Sequence, residues 1–446
     1  MNHNDESSGK ATTKSATSNG HKANGYHDHT EEAKETNNTN TNSNISNDII
    51  QEMTELLDKL EASNCLVDVR EGLQTFLIYV SNIIKHPLEA KYRKIRVGNA
   101  NYQVRLGHLK HGAALLKCIG YKVDSTDFLI LPSSLYTTSG DLFIIKRIRD
   151  LTVYRLEKIT SKFRLVPRQH ELASHKWSCC KHAVEAHTIG RRPAMEDDHI
   201  LLDTYCNKSY LGFFGLYDGH GGRATVDFLT CSFYLNLQHY LALNKNLAMS
   251  KALDDVYSIT DKQIHRQQIY QSGATSVTLV LDQKNRHFTV ANCGDTRAVL
   301  CRKGKAIRLT KDHKADDAEE AAMIRKRGGT IGRLKRVNGL LAVTRAFGDH
   351  LLKPPITVKP TIVDMQLTDD DHFIVLACDG VWDVLQDEEV VHYVYTQILK
   401  KSNQKSYQDC TQQHLQKCLH QICLDIVKNA LDRRSQDNIS CMIIAL

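Results

Sequence analysis

From about residue 180 to the last residue the chain keeps returning to one pattern: a short apolar run rich in Val, Ile, Phe and Tyr, closed by Gly, Asp or Asn. Runs of this kind at 211–217, 275–281, 287–292, 297–301, 373–378 and 439–445 are too short for core helices and carry the residues that favour a pleated surface, so they read as strands. Several are joined by tight turns such as Asp282–Arg286 and Lys303–Gly304, which predicts antiparallel hairpins. Between them, longer amphipathic patterns at about 222–240, 248–268, 316–327, 387–400 and 408–430 supply helices to cover the sheets. The expected class is a layered α/β domain.

The 446 residues exceed what one hydrophobic core usually supports, so a second folded unit is expected upstream. Residues 1–47 are mostly Asn, Thr, Ser, His and Lys, with too little apolar surface to offset the entropy of ordering, and read as a disordered tail. The irregularly spaced His3, His21, His27 and His29 receive no role. At Ile49 the pattern changes: Ile49, Ile50, Met53, Leu56, Leu57 and Leu60 recur at helical steps. Further helices are expected at about 66–84 and 107–119, with a short strand in 128–135 ended by Pro132 and a domain end near 155. Residues 156–179 read as a linker.

The net charge of +7 is spread without a long basic run, so no nucleic-acid partner is expected. No stretch approaches the ~20 apolar residues of a membrane span, and the opening MNHNDESSGK lacks a signal-peptide core, so neither a membrane partner nor secretion is expected. Thirteen Cys without a repeated spacing suggest free thiols in a reducing compartment, the cytoplasm or the nucleus. His170, His175, His182 and His187 flank Cys179-Cys180, but the spacing fits no standard zinc pattern and no zinc site is expected there.

The chemistry is concentrated in acids. Met195-Glu196-Asp197-Asp198, Asp218-Gly219-His220, Asp379-Gly380-Val381-Trp382-Asp383 and Asp437-Asn438 all lie beside turns, and the last three abut apolar strands. An Asp before Gly commonly does no more than shape a turn. Several strand-end carboxylates in one domain would repel one another, however, unless hard divalent cations were bound among them. Two such ions would acidify a shared water and clamp the oxygens of an in-line displacement, which points to phosphoester hydrolysis. Arg192 could then bind phosphate oxygens through its planar fork, with Arg191 as the alternative, and His220 could protonate the leaving oxygen.

The ordered segments RRPAMEDDH, GLYDGHGG, SGATSV, ANCGDTRAV, DHK, RVNGLLAVTRAFGD, ACDGVWDVL and SQDNIS resemble the signature series of the type 2C metal-dependent serine/threonine phosphatases, over about 180–446. The resemblance implies two antiparallel β-sheets packed as a sandwich and flanked by helices. It also implies two Mg²⁺ or Mn²⁺ ions sharing a nucleophilic water, and phosphoserine or phosphothreonine proteins as substrates. By position, Asp218 matches the carboxylate that bridges both ions and Gly219 a backbone carbonyl ligand. Asp379 and Asp437 match ligands of the first ion, and Glu196 and Asp197 the acidic pair at the second. Asp295 matches the acid linked with a weaker third site in some members, Arg192 the phosphate-binding arginine, and His220 the general acid. Ala315 replaces the usual Pro after DHK, and Gln436 precedes Asp437; neither change removes a ligand. The chain has no Cys followed six residues later by Arg and no GxxxxGK[ST] loop, which counts against thiolate and nucleotide-phosphate chemistry.

Upstream, KYRKIRVGNANYQVRL, a Gly- and Ala-containing helix ending at GY, FLILP and IKRIRDL resemble a PUB domain, a small mainly helical adaptor, over about 66–155. Members are similar in holding the C-terminal tail of the AAA ATPase called valosin-containing protein. The resemblance implies a partner-binding role for Tyr92, Arg96 and Asn99. The bland alternative is that Lys91, Arg93, Lys94 and Arg96 only solvate one face. For the whole chain, a catalytically silent phosphoprotein-binding scaffold in the ubiquitin and AAA ATPase pathway is the alternative to an enzyme, and the intact set of acids argues for the enzyme.

Overall fold

The computed structural model describes residues 36–64, 66–124, 127–162 and 175–446. Its upstream elements are α1 (Thr36–Ser63), α2 (Leu66–Lys85), β1 (Lys94–Arg96), α3 (Gly112–Cys118), β2 (Lys122–Asp124), β3 (Phe128–Ile130) and α4 (Ser139–Lys162). Helix α1 starts inside the stretch read from sequence as a disordered tail; the tail's four histidines lie outside the described residues. Met53, Leu57 and Leu60 of α1 meet Leu73, Phe76 and Val80 of α2 and Ile145, Ile148 and Ile159 of α4 in one buried cluster. The strands form a small sheet in the order β1-β3-β2.

The helix expected at 107–119 is broken in two. A π-helical turn, Gln103–Gly107, ends in a bend through His111 at φ 70°, and α3 starts only at Gly112. A Cβ on Gly112 would stand 2.1 Å from the Leu106 carbonyl oxygen, so only glycine permits this close crossing. The expected domain end near 155 falls inside α4, whose Arg155 reaches back to Asp58 (2.6 Å) and Glu61 (3.1 Å) of α1. Residues 163–174, including His170, lie outside the described residues.

The second domain comprises β4 (His182–Thr188), β5 (Asp198–Leu202), β6 (Leu211–His220), α5 (Ala224–Leu243), α6 (Met249–Arg266), β7 (Gly273–Asp282), β8 (His287–Cys293), β9 (Arg297–Arg302), β10 (Lys305–Arg308), α7 (Ala318–Lys326), β11 (Phe347–Gly348), β12 (Thr361–Gln366), β13 (Asp371–Ala377), α8 (Asp387–Ser402), α9 (Gln412–Asp432) and β14 (Ile439–Ala445). Two antiparallel sheets run in the orders β10-β9-β13-β14-β4 and β12-β8-β7-β6-β5. Along β13, Phe373, Val375 and Ala377 face the cluster shared with α8 and α9, while Ile374 and Leu376 enter the layer between the sheets. Both faces are therefore buried, which is why these strands read as continuous apolar runs. On the outer face of the second sheet, Phe233 of α5 and Tyr257 of α6 pack with Phe213 of β6. Trp177, Cys179 and Cys180 belong to the inter-sheet core, so the sandwich already includes the last part of the stretch read as a linker.

Helix α2 of the first domain lies against α6 of the second. Asp68 Oδ2 accepts from Gln263 Nε2 (3.3 Å) and lies 3.4 Å from the Arg266 guanidinium, and Glu71 accepts from Gln267. Burial lifts the Asp68 carboxyl to about 6, with Arg266 and Gln263 opposing. The described cysteines are all free thiols. No described helix is long and apolar enough to cross a membrane.

Candidate active site

The strands that carry the acids end on one side of the sandwich. Strand β6 is buried through Tyr217 and then emerges as Asp218-Gly219-His220; β13 ends just before a single helical turn, Asp379–Trp382, and β14 begins just after Asp437. Asp295 follows Gly294 (φ 104°) in the turn from β8 to β9, and Asp197 precedes β5. The loop that carries Asp197 lies flat on the end of β6: a Cβ on Gly219 would stand 2.4 Å from the Glu196 carbonyl oxygen. A Cβ on Gly380 would stand closer still to a carbonyl, 1.9 Å from the Asn438 oxygen.

The result is a basin of carboxylates. One donor atom each from Asp218, Asp295 and Asp379 lies within 4.8 Å of the others, and the same holds for Asp197, Asp218 and Cys378. Asp218 is thus common to two groupings. Desolvation, then the charges of Asp197, Asp379, Asp295 and Asp437, push its carboxyl well above the usual range. Asp379 is pushed up by desolvation and by Asp295, Asp383 and Asp437, with Lys314 opposing. Burial lifts Asp197 to about 6 although Ser440 Oγ donates to its Oδ2 at 2.6 Å; its Oδ1 is buried with no hydrogen-bond partner. Lys314 Nζ approaches Asp295 (3.3 Å) and Asp383 (3.1 Å), and one ammonium is too little charge for so many acids. An under-neutralised basin of carboxylates, with an orphaned oxygen on Asp197 and the buried Cys378 thiol at its edge, is a donor set that hard divalent cations satisfy.

The remaining candidates stand around it. Asn438 Oδ1 accepts from Glu196 N (2.7 Å), and its Nδ2 donates to the carbonyls of Ile189 (2.9 Å) and Ala194 (3.0 Å), tying the acidic loop to the start of β14. Glu196 Oε1 accepts from Gly222 N at 2.7 Å. Arg192, half exposed, donates to Asp437 Oδ2 (2.5 Å) and the Gln436 carbonyl (3.2 Å), while Asp437 Oδ1 accepts from Asn438 N (2.7 Å). His220 Nε2 lies 2.7 Å from Oδ2 of buried Asp349. Burial pulls this imidazole down, but the bond and charge of Asp349 outweigh it and the net direction is up. Asp349 was not singled out from sequence, although it ends the segment RVNGLLAVTRAFGD; an Asp after Gly reads as a turn residue. Asp198, inside the acidic run, instead pairs with Arg223 at 2.6 Å.

In the first domain, the Tyr92 ring stacks on His86 at 4.6 Å with Lys91 Nζ 4.7 Å above it. Arg96 is exposed on β1, and Asn99 Oδ1 caps a helical turn by accepting from Tyr102 N (3.1 Å). Arg93, grouped from sequence with solvating bases, is buried and donates to the carbonyls of Pro132 and Leu135, each at 2.7 Å, and of Pro87. Cys179 and Cys180 are core residues, and His175 Nε2 contacts Asp203 (3.0 Å). Among the described residues no metal-sized group combines that Cys pair with the nearby histidines.

This fold and basin define a class of metal-ion hydrolase, and comparison with known proteins gives the family. The protein phosphatase 2C profile matches residues 183–439 and the PUB domain profile residues 67–140. The chain belongs to the protein phosphatase 2C family and carries a PUB domain ahead of its catalytic domain. "Probable protein phosphatase 2C 45" of Oryza sativa subsp. japonica is 35% identical over 264 residues, 58% of this chain and 85% of that protein. Other curated relatives are matched over about half their length. Among solved structures, a C. elegans sex-determining protein aligns over 84% of this chain and 88% of its own, with a TM-score of 0.54 at 19% identity. A phosphatase from Toxoplasma gondii aligns over 59% and 92%, with a TM-score of 0.50 at 22% identity. Both structural likenesses speak to the fold alone.

Proposed function

We propose that the catalytic domain hydrolyses phosphoserine and phosphothreonine esters with two Mg²⁺ or Mn²⁺ ions held by Asp218, Asp379, Asp437, Asp197, Glu196 and the Gly219 carbonyl, and that Asp295 serves a weaker third ion. The observation that carries this reading is the convergence of Asp197, Asp218, Asp295 and Asp379 in one basin whose own cations are too few. When bound, the ions would neutralise phosphoryl oxygens and supply a water acidic enough to attack phosphorus. Asp218, shared by the two groupings, would be the carboxylate that helps hold both ions. Ser440 and Asn438 fix the orientation of the 196–197 pair. Arg192 can exchange Asp437 for non-bridging phosphate oxygens by turning its exposed fork. Asp349, by holding His220 at Nε2, favours the protonated ring and leaves Nδ1 to hand a proton to the departing serine or threonine oxygen. The direct test is phosphate release from a phosphothreonine peptide with Mn²⁺ or Mg²⁺ and with chelator, beside Asp379→Ala. Turnover that needs metal and vanishes in the variant supports the enzyme. A folded, metal-loaded protein inert on several phosphopeptides would instead support a phosphoprotein-binding scaffold.

For the PUB domain we propose capture of an acidic, aromatic-bearing C-terminal tail, that of the valosin-containing AAA ATPase, at the surface carrying Tyr92, Arg96 and Asn99. The exposed charge of Arg96 and the stacked ring of Tyr92 support a groove for such a tail. Calorimetry of the full chain with the tail peptide tests it; binding unaffected by Arg96→Glu, or no binding at all, contradicts it. The free thiols fit a reducing compartment, and we propose the cytoplasm or nucleus.

A further inference from the structure

Strands β4 and β5 are the terminal strands of their two sheets. On β4, Glu185 and His187 stand two residues apart and so share a face, the one that two residues earlier places Ala183 in the inter-sheet core. An apolar residue is the ordinary occupant of such a position. The chain puts a buried carboxylate there instead, and two imidazoles converge on it. Glu185 Oε2 is 2.9 Å from His187 Nδ1 and 3.5 Å from Nε2 of His199 on β5. The two rings are 5.4 Å apart, and the three donor atoms all lie within 4.8 Å of one another.

Two imidazole nitrogens and one carboxylate oxygen form a donor set of the zinc type, which leaves a coordination position open. Donors around a tetrahedral zinc at ~2.0–2.2 Å stand roughly 3.3–3.5 Å apart, close to the two carboxylate–imidazole spacings of 2.9 and 3.5 Å. The set also differs in kind from the carboxylate-dominated basin, where hard cations are favoured. His187 is exposed enough to give an ion access, while Glu185 and His199 form the sheltered side.

We propose that Glu185, His187 and His199 form a second metal site, beside the carboxylate basin but sharing none of its donors, for a zinc-class transition ion that links the two sheets at this end of the sandwich. Nitrogen ligands make it selective against Mg²⁺. Entry of the ion displaces the proton shared between His187 and Glu185, and each imidazole coordinates through the nitrogen that now faces the carboxylate.

The test uses the full-length protein stripped with chelator and returned to excess Mg²⁺, which saturates the basin, then titrated with Co²⁺ as a coloured stand-in and with Zn²⁺. The expected result is one equivalent of Co²⁺ bound with the intense visible absorption of a low-coordinate site, displaced by Zn²⁺ but not by further Mg²⁺, and weakened at least tenfold in His187→Ala. No Co²⁺ or Zn²⁺ uptake under Mg²⁺, or equal uptake by folded His187→Ala, overturns the proposal and leaves a structural ion pair. Should that variant fail to fold, anomalous scattering at the zinc edge from wild-type crystals decides, by placing the ion among these three side chains or elsewhere. None of these readouts depends on phosphatase activity, so failure here and failure of the phosphatase reading remain distinguishable.

Discussion

Replacing Asp349 by Asn isolates the part that one buried charge plays in catalysis. The carboxylate lies 2.7 Å from His220 Nε2 and is itself buried. Asn keeps the size and an acceptor oxygen but removes the charge. A hydrogen bond to a charged partner contributes ~1.5–3 kcal/mol and a neutral one ~0.5–1.5 kcal/mol, so the substitution forfeits about 1–2 kcal/mol of imidazolium stabilisation. At 1.36 kcal/mol per decade, kcat on a phosphothreonine peptide should fall about 5–30-fold. KM should hold, because Asp349 faces the histidine and the proposed phosphate contact is Arg192. Asp349→Ala removes this partner from the half-buried ring altogether and should lose more, towards the ~10²–10⁴-fold that general acid catalysis supplies. The discriminating assay compares that peptide with p-nitrophenyl phosphate, whose nitrophenolate departs without needing a proton. A large loss on the peptide and a small one on the nitrophenyl ester is the expected pattern. Equal losses on both substrates, or none, would refute the assignment of His220 as proton donor and Asp349 as its positioning residue.

Asp68 provides a pH test at the seam between the domains. Its carboxyl is raised from 3.8 to about 6, so the folded protein holds this proton more tightly than the unfolded chain, and the associated stability is present at low pH and lost as pH rises through the interval between those values. At 1.36 kcal/mol per unit this net shift, which already includes the opposing Arg266 and Gln263, sets about 3 kcal/mol against the ionised form near neutrality. Asp68→Asn should therefore raise the melting temperature by a few degrees near neutral pH and change it little near pH ~4; an unchanged or lower value near neutrality contradicts this. Gly380→Ala forces a Cβ into the Asn438 carbonyl and should cost ~1–3 kcal/mol or more while weakening Mn²⁺ affinity, because Asp379 and Asn438 are pushed apart; calorimetric titration with Mn²⁺ reads the second effect. Arg192→Ala, at an exposed side chain, should leave the melting temperature nearly unchanged and raise KM for phosphopeptide about tenfold, the equivalent of one ~1.4 kcal/mol contact.

The catalytic half was legible where sequence pattern and burial coincide. The runs at 211–217, 275–281, 373–378 and 439–445 are strands buried on both faces, so composition alone marked them. Strands β4 and β12 escaped notice because Glu185, His187 and Asp364 interrupt their apolar runs. Helix α3 was overextended because Leu109 keeps helical spacing with Leu116 yet packs from a turn, a distinction made by the His111 backbone and invisible in periodicity. The acids that begin or end strands could be found one by one, whereas Asp349 and the pairing of Glu185 with His199 arise only when distant segments meet.

In the proposed reaction the Asp218 carboxylate, common to both groupings of the basin, would hold the ions that perform hydrolysis. The most direct measurement is Mn²⁺ binding and phosphate release recorded on the same samples of wild-type and Asp218→Asn protein. The expected result is metal bound and phosphopeptide turned over by the wild type, with tight Mn²⁺ binding and turnover lost together in the variant while its fold persists. A variant that loses Mn²⁺ yet still hydrolyses the peptide, or a wild type whose turnover survives chelation, would contradict it.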